Sequence, residues 1–137
     1  MVLPPPVTDE NPPPPIRERN LMKVLVNAHG VILLYEEPTQ IGDVQAKLIE
    51  FIKNPNNSEE LAASPQAAIV SLKTQRQTPY RIYIDMLDEV IGAYATLRNE
   101  VALTNYGREY GSLNAEQRKA VDDIYPKKIS IAEPDPE

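Results

Sequence analysis

The stretch from Ala68 to Val101 decides the fold of this chain. It opens with Ala68-Ile-Val-Ser-Leu-Lys73, a short apolar run with β-branched residues, which predicts a buried strand. After a polar turn, the pair Thr78-Pro79 predicts a helix with Thr78 as N-cap and Pro79 in the first helical position. A strand that leads through a tight turn into an amphipathic helix is half of a βαβ unit, so other segments must supply further strands.

The predicted helix is longer than the sheet on which it would lie. Its apolar residues recur at three- and four-residue spacings and form one stripe: Tyr80, Tyr83, Ile84, Leu87, Val90, Ile91, Tyr94, Leu97 and Val101. A helix from Pro79 to about Asn105, ended by Gly107 and Gly111, is roughly 40 Å long, whereas a typical strand covers about 20 Å. We therefore expect the second half of the helix to overhang the sheet.

The overhang predicts a homodimer, because an exposed apolar stripe of that length usually finds a partner. The expected interface residues are Tyr94, Leu97 and Val101. The alternative is that a short third helix, carrying Leu113, Val121 and Ile124, folds back and covers the stripe within one chain.

The remaining segments complete an α/β (α+β) fold. We predict a hairpin with a two-residue turn at His29-Gly30, a helix from Thr39 to Asn54, a third helix capped by Asn114 with Gln117, and a last strand over residues 127–132. These elements predict a small mixed sheet with both main helices on one face, formed by residues 21–132. The two ends, 1–20 and 133–137, are predicted to be a flexible proline-rich linker and a disordered tail.

Composition excludes several classes of function. The net charge of -6 argues against a nucleic-acid partner, and the lack of cysteine excludes disulfides and thiolate metal sites. The single histidine, His29, falls at a predicted turn, and Asp85 and Glu89 are typical of a solvated helix face. We therefore predict no enzyme, no catalytic residues, no metal and no cofactor. No apolar run approaches the roughly 20 residues that span a bilayer, so the chain as given is expected to be soluble.

The order of motifs resembles the periplasmic domain of the ExbD/TolR family. Val26-Asn27, Gly30 and Ile32 look like its first hairpin, and Ile69 to Lys73 looks like its central strand. Thr39 with the helix of Val44 and Leu48 resembles its first helix. The helix pattern is carried by Pro79-Tyr80, Ile84, Leu87, Asp88 and Ala93. The segments 12–20 and 124–130 are similar to the Bacteroidetes-type branch. Residues 95–125 are extra relative to the usual family member, which leaves the position of the last strand open.

The resemblance implies a function and a location, and it also supports the homodimer that the overhanging helix predicts. ExbD-like proteins are single-pass inner-membrane proteins that adjoin an ExbB-like channel and couple proton flow to work on a TonB-like partner. The proton-carrying aspartate belongs to the family's membrane helix, which is not in this sequence and which we expect to have been removed. The segment with Leu3, Pro4 and Val7 resembles the linker after that helix, which makes these residues candidate partner-binding positions.

Two alternatives stay open beside this interpretation. A TolR- or MotB-like anchor would bind peptidoglycan and would need a polar groove. A plain dimerisation module would bind only a second copy of itself.

The linker hypothesis predicts the effect of one double substitution. If Leu3 and Val7 dock in the assembled complex, Leu3→Ser with Val7→Ser in the membrane-anchored protein should reduce uptake of iron carriers. The substitution keeps the length and the prolines, so a passive spacer would leave uptake normal, and normal uptake would exclude the docking role.

Overall fold

The computed structural model describes residues 18–132, and it confirms an α/β fold with one mixed sheet. The strands are β1 (Leu21–Val26), β2 (Ile32–Leu34), β3 (Glu37–Thr39), β4 (Ile69–Thr74) and β5 (Ile129–Ala132), and the helices are α1 (Ile41–Lys53), α2 (Tyr80–Tyr106) and α3 (Ala115–Ile124). The strand order across the sheet is β3-β2-β1-β4-β5. The pairs β1–β4 and β4–β5 are parallel, while β2 is antiparallel to both of its neighbours.

The core lies between one face of this sheet and the two main helices. β1 and β4 pair over six residues, from Leu21 opposite Ile69 to Val26 opposite Thr74. Because side chains alternate along a strand, this register places one set of apolar residues on the same face: Met22, Val24, Val26, Val70 and Leu72. The same buried cluster takes Val44, Leu48, Phe51 and Ile52 from α1 and Met86, Val90, Ala93 and Tyr94 from α2. Both main helices therefore cover one face, as predicted.

The first hairpin turn is longer than predicted. The Asn27 carbonyl accepts the Gly30 N–H at 3.0 Å, and the Asn27 side chain accepts the His29 and Val31 N–H groups at 2.9 Å each. Gly30 has φ +79°, a conformation that residues with a Cβ rarely adopt, so this position favours glycine. The prediction of a two-residue His29-Gly30 turn was wrong, because the Asn27 side chain stabilises a wider loop.

The sequence did not lead us to predict a second turn and a third strand, which the structure contains. Tyr35 and Glu36 have φ values of 53° and 66°, a conformation that usually calls for asparagine or glycine. The turn leads into β3, in which Thr39 pairs with Ile32. Gln40, and not Thr39, is consequently the N-cap of α1.

The predicted cap of α2 was also wrong by one residue. Pro79 is the N-cap, and no side chain caps the helix there. The Thr78 hydroxyl instead donates to the Val26 carbonyl at 2.8 Å and accepts the Gln75 N–H at 2.8 Å. Thr78 thereby ties the start of α2 to the end of β1.

The third helix folds back on the distal half of α2. The predicted capping box is present, with the Gln117 N–H bonded to the Asn114 side chain at 2.8 Å and the Gln117 side chain accepting the Asn114 N–H at 3.2 Å. Gly107 ends α2 with φ 68°, as its position in the sequence predicts. Leu113 and Val121 are buried against Ala102 of α2, so the helix overhang is covered within the chain.

The loop after α1 is fixed by three polar side chains. Asn54 donates to the carbonyls of Ser58 and Ala62 at 2.8 and 2.9 Å, and its side-chain oxygen accepts the Ser58 N–H at 2.7 Å. Arg19 donates to the carbonyls of Leu61 and Ser58 at 2.9 and 3.0 Å, and Asn20 accepts the N–H of Ala63 at 2.8 Å. Arg19 and Asn20 therefore belong to the folded part, ahead of its predicted start at residue 21.

We expect Asn54→Ala to destabilise the chain markedly. The substitution leaves the backbone groups of Ser58 and Ala62 without their buried partner, a loss of about 2 kcal/mol beyond the backbone effect. Asn57→Ala is the matched control, because Asn57 also has positive φ, 53°, but is exposed. Urea unfolding measures both free energies, and equal losses for the two variants would contradict a structural role for the Asn54 hydrogen bonds.

Candidate functional site

The side chains predicted to form a dimer interface are mostly buried within the folded chain. Tyr94 and Leu97 have 0% and 1% of their surface exposed, and Val101 is half-buried against the cluster formed with α3. The prediction that these side chains form an exposed overhang was wrong. The structure has the alternative arrangement, in which the third helix folds back and covers this part of α2. The homodimer itself stays a prediction, now without this interface. Leu3, Pro4 and Val7 lie outside the described residues.

The side chains that could bind a metal or catalyse a reaction lie apart from one another. Within residues 18–132, no group of three or more histidine or acidic side chains is placed to hold a metal ion. His29 is exposed at the hairpin loop, and Asp85 is exposed on α2. In the same range, no helix combines the length and apolarity needed to cross a membrane.

The outer edge of β5 offers unpaired backbone groups. The Lys128 carbonyl accepts the Val70 N–H at 3.0 Å, and Val70 is opposite Ile129 in the register. In a parallel pair the bonds alternate along the strand, so Ser130 and Ala132 bond to β4 while Ile129 and Ile131 direct their N–H and C=O groups outward. Within the part of the chain that the structure describes, no strand pairs with this edge.

The opposite edge of the sheet is protected. β3 contains Pro38, which lies opposite Leu33. The two-residue turn makes Leu34–Glu37 the hydrogen-bonded pair, so the next residue along, Pro38, has its ring nitrogen at the outer edge. Because proline has no N–H, that edge cannot receive a regular additional strand.

A cleft adjoins the β5 edge on the helix side. Ile131 and Tyr80 are 53% and 74% exposed, and the rings of Tyr80 and Tyr83 have centroids 6.0 Å apart. Together with Arg76 these side chains line a cleft of about 450 Å³. We call Arg76, Tyr80, Tyr83, Ile129 and Ile131 the β5 edge surface. An extended segment that paired with β5 would place side chains in this cleft.

The β5 edge surface was not identified from the sequence. The segment 127–132 predicts a strand, but its position at the edge follows from the strand order, which depends on long-range pairing. Tyr80 was assigned to the buried stripe of α2, since its spacing matches that of the core residues. The flanking Lys127 and Lys128 are the one available signal, because lysine is frequent on edge strands.

A second concave region lies on the sheet face away from the helices. It is an open groove of about 600 Å³. We call this groove the open face; its main lining residues are Glu18, Leu21, Lys23, Leu25, Leu33, Tyr35, Glu36, Ser71 and Lys73. Three leucines supply an apolar floor, and both charge signs lie around it. Although 47% of Tyr35 is exposed, partial burial raises its pKa to about 12, and the nearby Glu50 and Glu60 carboxylates act in the same direction.

No family model matches the chain, and no curated protein matches it. The resemblance to the ExbD/TolR family therefore depends on the residues quoted above.

The pKa of Tyr35 predicts a late step in the alkaline titration. Between pH 10 and 12 the folded chain keeps a proton on Tyr35 that the unfolded chain has lost. The fold disfavours the phenolate, so the free energy of unfolding is highest below pH 10 and falls as pH rises through 12. We expect the absorbance difference at 295 nm between the unsubstituted chain and Tyr35→Phe to titrate near pH 12. In urea the same difference should titrate near the ordinary 10.0. A midpoint near 10 in the folded chain would show that the Tyr35 hydroxyl is not shielded as described.

Proposed function

We propose that this chain is the periplasmic domain of an inner-membrane energy-transducing complex of the ExbB–ExbD–TonB type. In that role it couples the proton motive force to outer-membrane transport through contacts with other proteins, and it is not an enzyme. Its proposed partners are an ExbB-like channel, reached through a membrane helix that precedes the linker, and a TonB-like protein.

The positions of the residues that resemble the ExbD/TolR pattern support this proposal. Val26 and Ile32 are buried on the two strands of the first hairpin, and Val44 and Leu48 are buried on α1. Pro79 begins the long helix directly after the central strand and its turn. Residues that carry the family pattern thus occupy the hairpin, first helix, central strand and second helix in the expected order.

The β5 edge surface is the observation that carries the proposal. A TonB-like partner must bind the domain tightly enough to withstand a pull. Strand addition suits this requirement, because it forms a series of backbone hydrogen bonds along the sheet edge. Ile129 and Ile131 present the outward backbone groups, and the cleft beside Tyr80 gives side-chain contacts. Pro38 blocks strand addition at the other edge, which leaves β5 as the one regular position for it within residues 18–132.

A peptidoglycan anchor is the second candidate, and the open face favours it. Lys23, Ser71 and Tyr35 bring an ammonium, a hydroxyl and an aromatic ring to one groove. Such groups can hydrogen-bond and stack on a sugar or a short peptide. The two functions use different surfaces, so substitutions can separate them.

The experiment compares two substitutions at one position during titration with the periplasmic fragment of a TonB-like protein. Ile131→Pro removes an outward N–H without removing a bond to β4, whereas Ile131→Ala removes the side chain and keeps the N–H. If the partner adds a strand, Ile131→Pro should weaken binding roughly tenfold more than Ile131→Ala, since a lost hydrogen bond of about 1.4 kcal/mol corresponds to a factor of ten. Calorimetry measures the affinities.

Ser71→Glu on the open face serves as the comparison variant for the β5 edge. It should leave the titration with the TonB-like fragment unchanged. Two results together would favour the peptidoglycan anchor over the proposed function. The unsubstituted chain would not bind the TonB-like fragment, and it would sediment with purified cell walls in a way that Ser71→Glu abolishes.

A further inference from the structure

The side of α2 that lies along β5 is apolar and only partly covered by residues 18–132. Its apolar residues recur at spacings of four, three and four, so they share one side of the helix: Tyr80, Ile84, Leu87 and Ile91. Tyr80 lines the same cleft as Ile131, so this side adjoins the β5 edge. Ile84 and Leu87 are half-buried, and Ile91 is 38% exposed. We call these four residues the α2 flank.

The other side of α2 is occupied by α1. The Lys53 ammonium of α1 donates to the Glu100 carboxylate at 2.9 Å, and the Gln45 side chain of α1 lies against Gly92. The α2 flank and the β5 edge therefore form a groove that is open along its length. From Tyr80 to Ile91 the flank is about 17 Å long, which an extended segment of five or six residues also covers.

A cation lies at each end of this groove. Lys127 precedes β5 and lines a pocket with Arg98 of α2, so it lies on the helix side at one end. Arg76 lines the cleft with Ile131 at the other end. Both cations are exposed, and neither forms an ion pair with another residue in 18–132. The chain as a whole has a net charge of -6, so the ends of the groove are opposite in sign to the molecule as a whole.

The helix side of the edge therefore presents a fixed order of side chains. The order is cation, apolar, apolar, cation: Lys127, Ile129, Ile131 and Arg76. An added strand directs every second side chain to this side. Its complement has an acidic residue, two apolar residues and a second acidic residue at alternate positions. This pattern is the same in both chain directions, so it applies to parallel and to antiparallel addition.

We propose that the β5 edge recognises a seven-residue segment with acidic residues at its first and seventh positions and aliphatic residues at its third and fifth. The two acidic residues are about 20 Å apart in an extended strand. The aliphatic residues contact the α2 flank, and the even-numbered positions face the other side of the sheet and are not selected. The inference rests on the function proposed above, and it names the segment that a TonB-like partner presents to β5.

Three fluorescently labelled peptides test this recognition with the full chain. The matched probe has aspartate at the first and seventh positions, valine at the third and fifth, and threonine elsewhere. The adjacent-valine probe has the same composition with valine at the third and fourth positions, so its valines face opposite sides. The lysine probe has lysine in place of both aspartates. Fluorescence anisotropy measures the affinities.

We expect the matched probe to bind roughly tenfold more tightly than the adjacent-valine probe, because one valine of the latter cannot reach the α2 flank. The lysine probe should bind more weakly than the matched probe by a similar factor, since two attractions become repulsions. Ile131→Pro should weaken binding of the matched probe, because it removes an outward N–H from the edge.

A charge-reversed chain separates recognition from a merely structural role of the cations. Arg76→Glu with Lys127→Glu changes two exposed residues and leaves the edge backbone and the α2 flank intact. This variant should prefer the lysine probe to the matched probe, the reverse of the unsubstituted chain. Urea unfolding checks that the variant is folded.

Three results would overturn the proposed segment. They are an unchanged order of the probes in the folded charge-reversed chain, equal affinities for the matched and adjacent-valine probes, and concentration-dependent dimers that Ile131→Pro abolishes. The last result would assign the edge to a second copy of the chain.

The probes also separate this inference from the proposed function. If the TonB-like fragment binds with the predicted loss in Ile131→Pro and the matched probe does not bind, the proposed segment is overturned and the proposed function stands. If the matched probe binds as predicted and the TonB-like fragment does not bind, the recognition pattern stands and the proposed function fails.

Discussion

The parallel pairing of β1 with β4 is the interaction on which the rest of the structure depends. Its six-residue register places Met22, Val24 and Val26 beside Val70 and Leu72 on one face. If β1 slipped by one residue against β4, its three apolar side chains would turn to the other face. The helices α1 and α2 can bury their apolar sides only against that combined surface. Thr78 reinforces the pairing by joining the end of β1 to the start of α2.

This central pair also makes the domain asymmetric in two directions. One sheet face is buried under helices and the other is open, and one sheet edge is blocked by Pro38 while the other ends in β5. The surfaces that remain differ in chemistry: backbone groups and tyrosines at the β5 edge, and leucines with mixed charges on the open face. The two surfaces share no lining residues, so a substitution can change one and leave the other intact.

Local signals in the sequence predicted most of the elements. The strand predicted at 68–73, the long helix ended by Gly107 and the Asn114 capping box depend on neighbouring residues. The structure confirms all three, with the strand at Ile69–Thr74. The turn at Tyr35-Glu36 was missed, because neither residue is one that favours positive φ. It persists because β2 is packed on the core and β3 pairs with β2, which outweighs the local preference.

Features that depend on long-range contacts were harder to predict. The stripe of α2 was read correctly as apolar, yet Tyr94 and Leu97 face α1, the sheet and the returning chain and not a second subunit. Sequence spacing identifies an apolar face but does not say what covers it. The same limit applied to the candidate site, since the edge position of β5 follows only from the order of all five strands.

The central position of β1 has a mechanical consequence. Tension that enters at Glu18 acts along β1, whose hydrogen bonds to β2 on one side and β4 on the other run across the direction of pull. These bonds are loaded in shear, so they share the force and must break together, and the side-chain bonds of Arg19 and Asn20 resist first. A load attached alongside β5 would pass through β4 to β1 in the same geometry. A load applied between residue 18 and the β5 edge would therefore be shared by these hydrogen bonds and would not break them one after another.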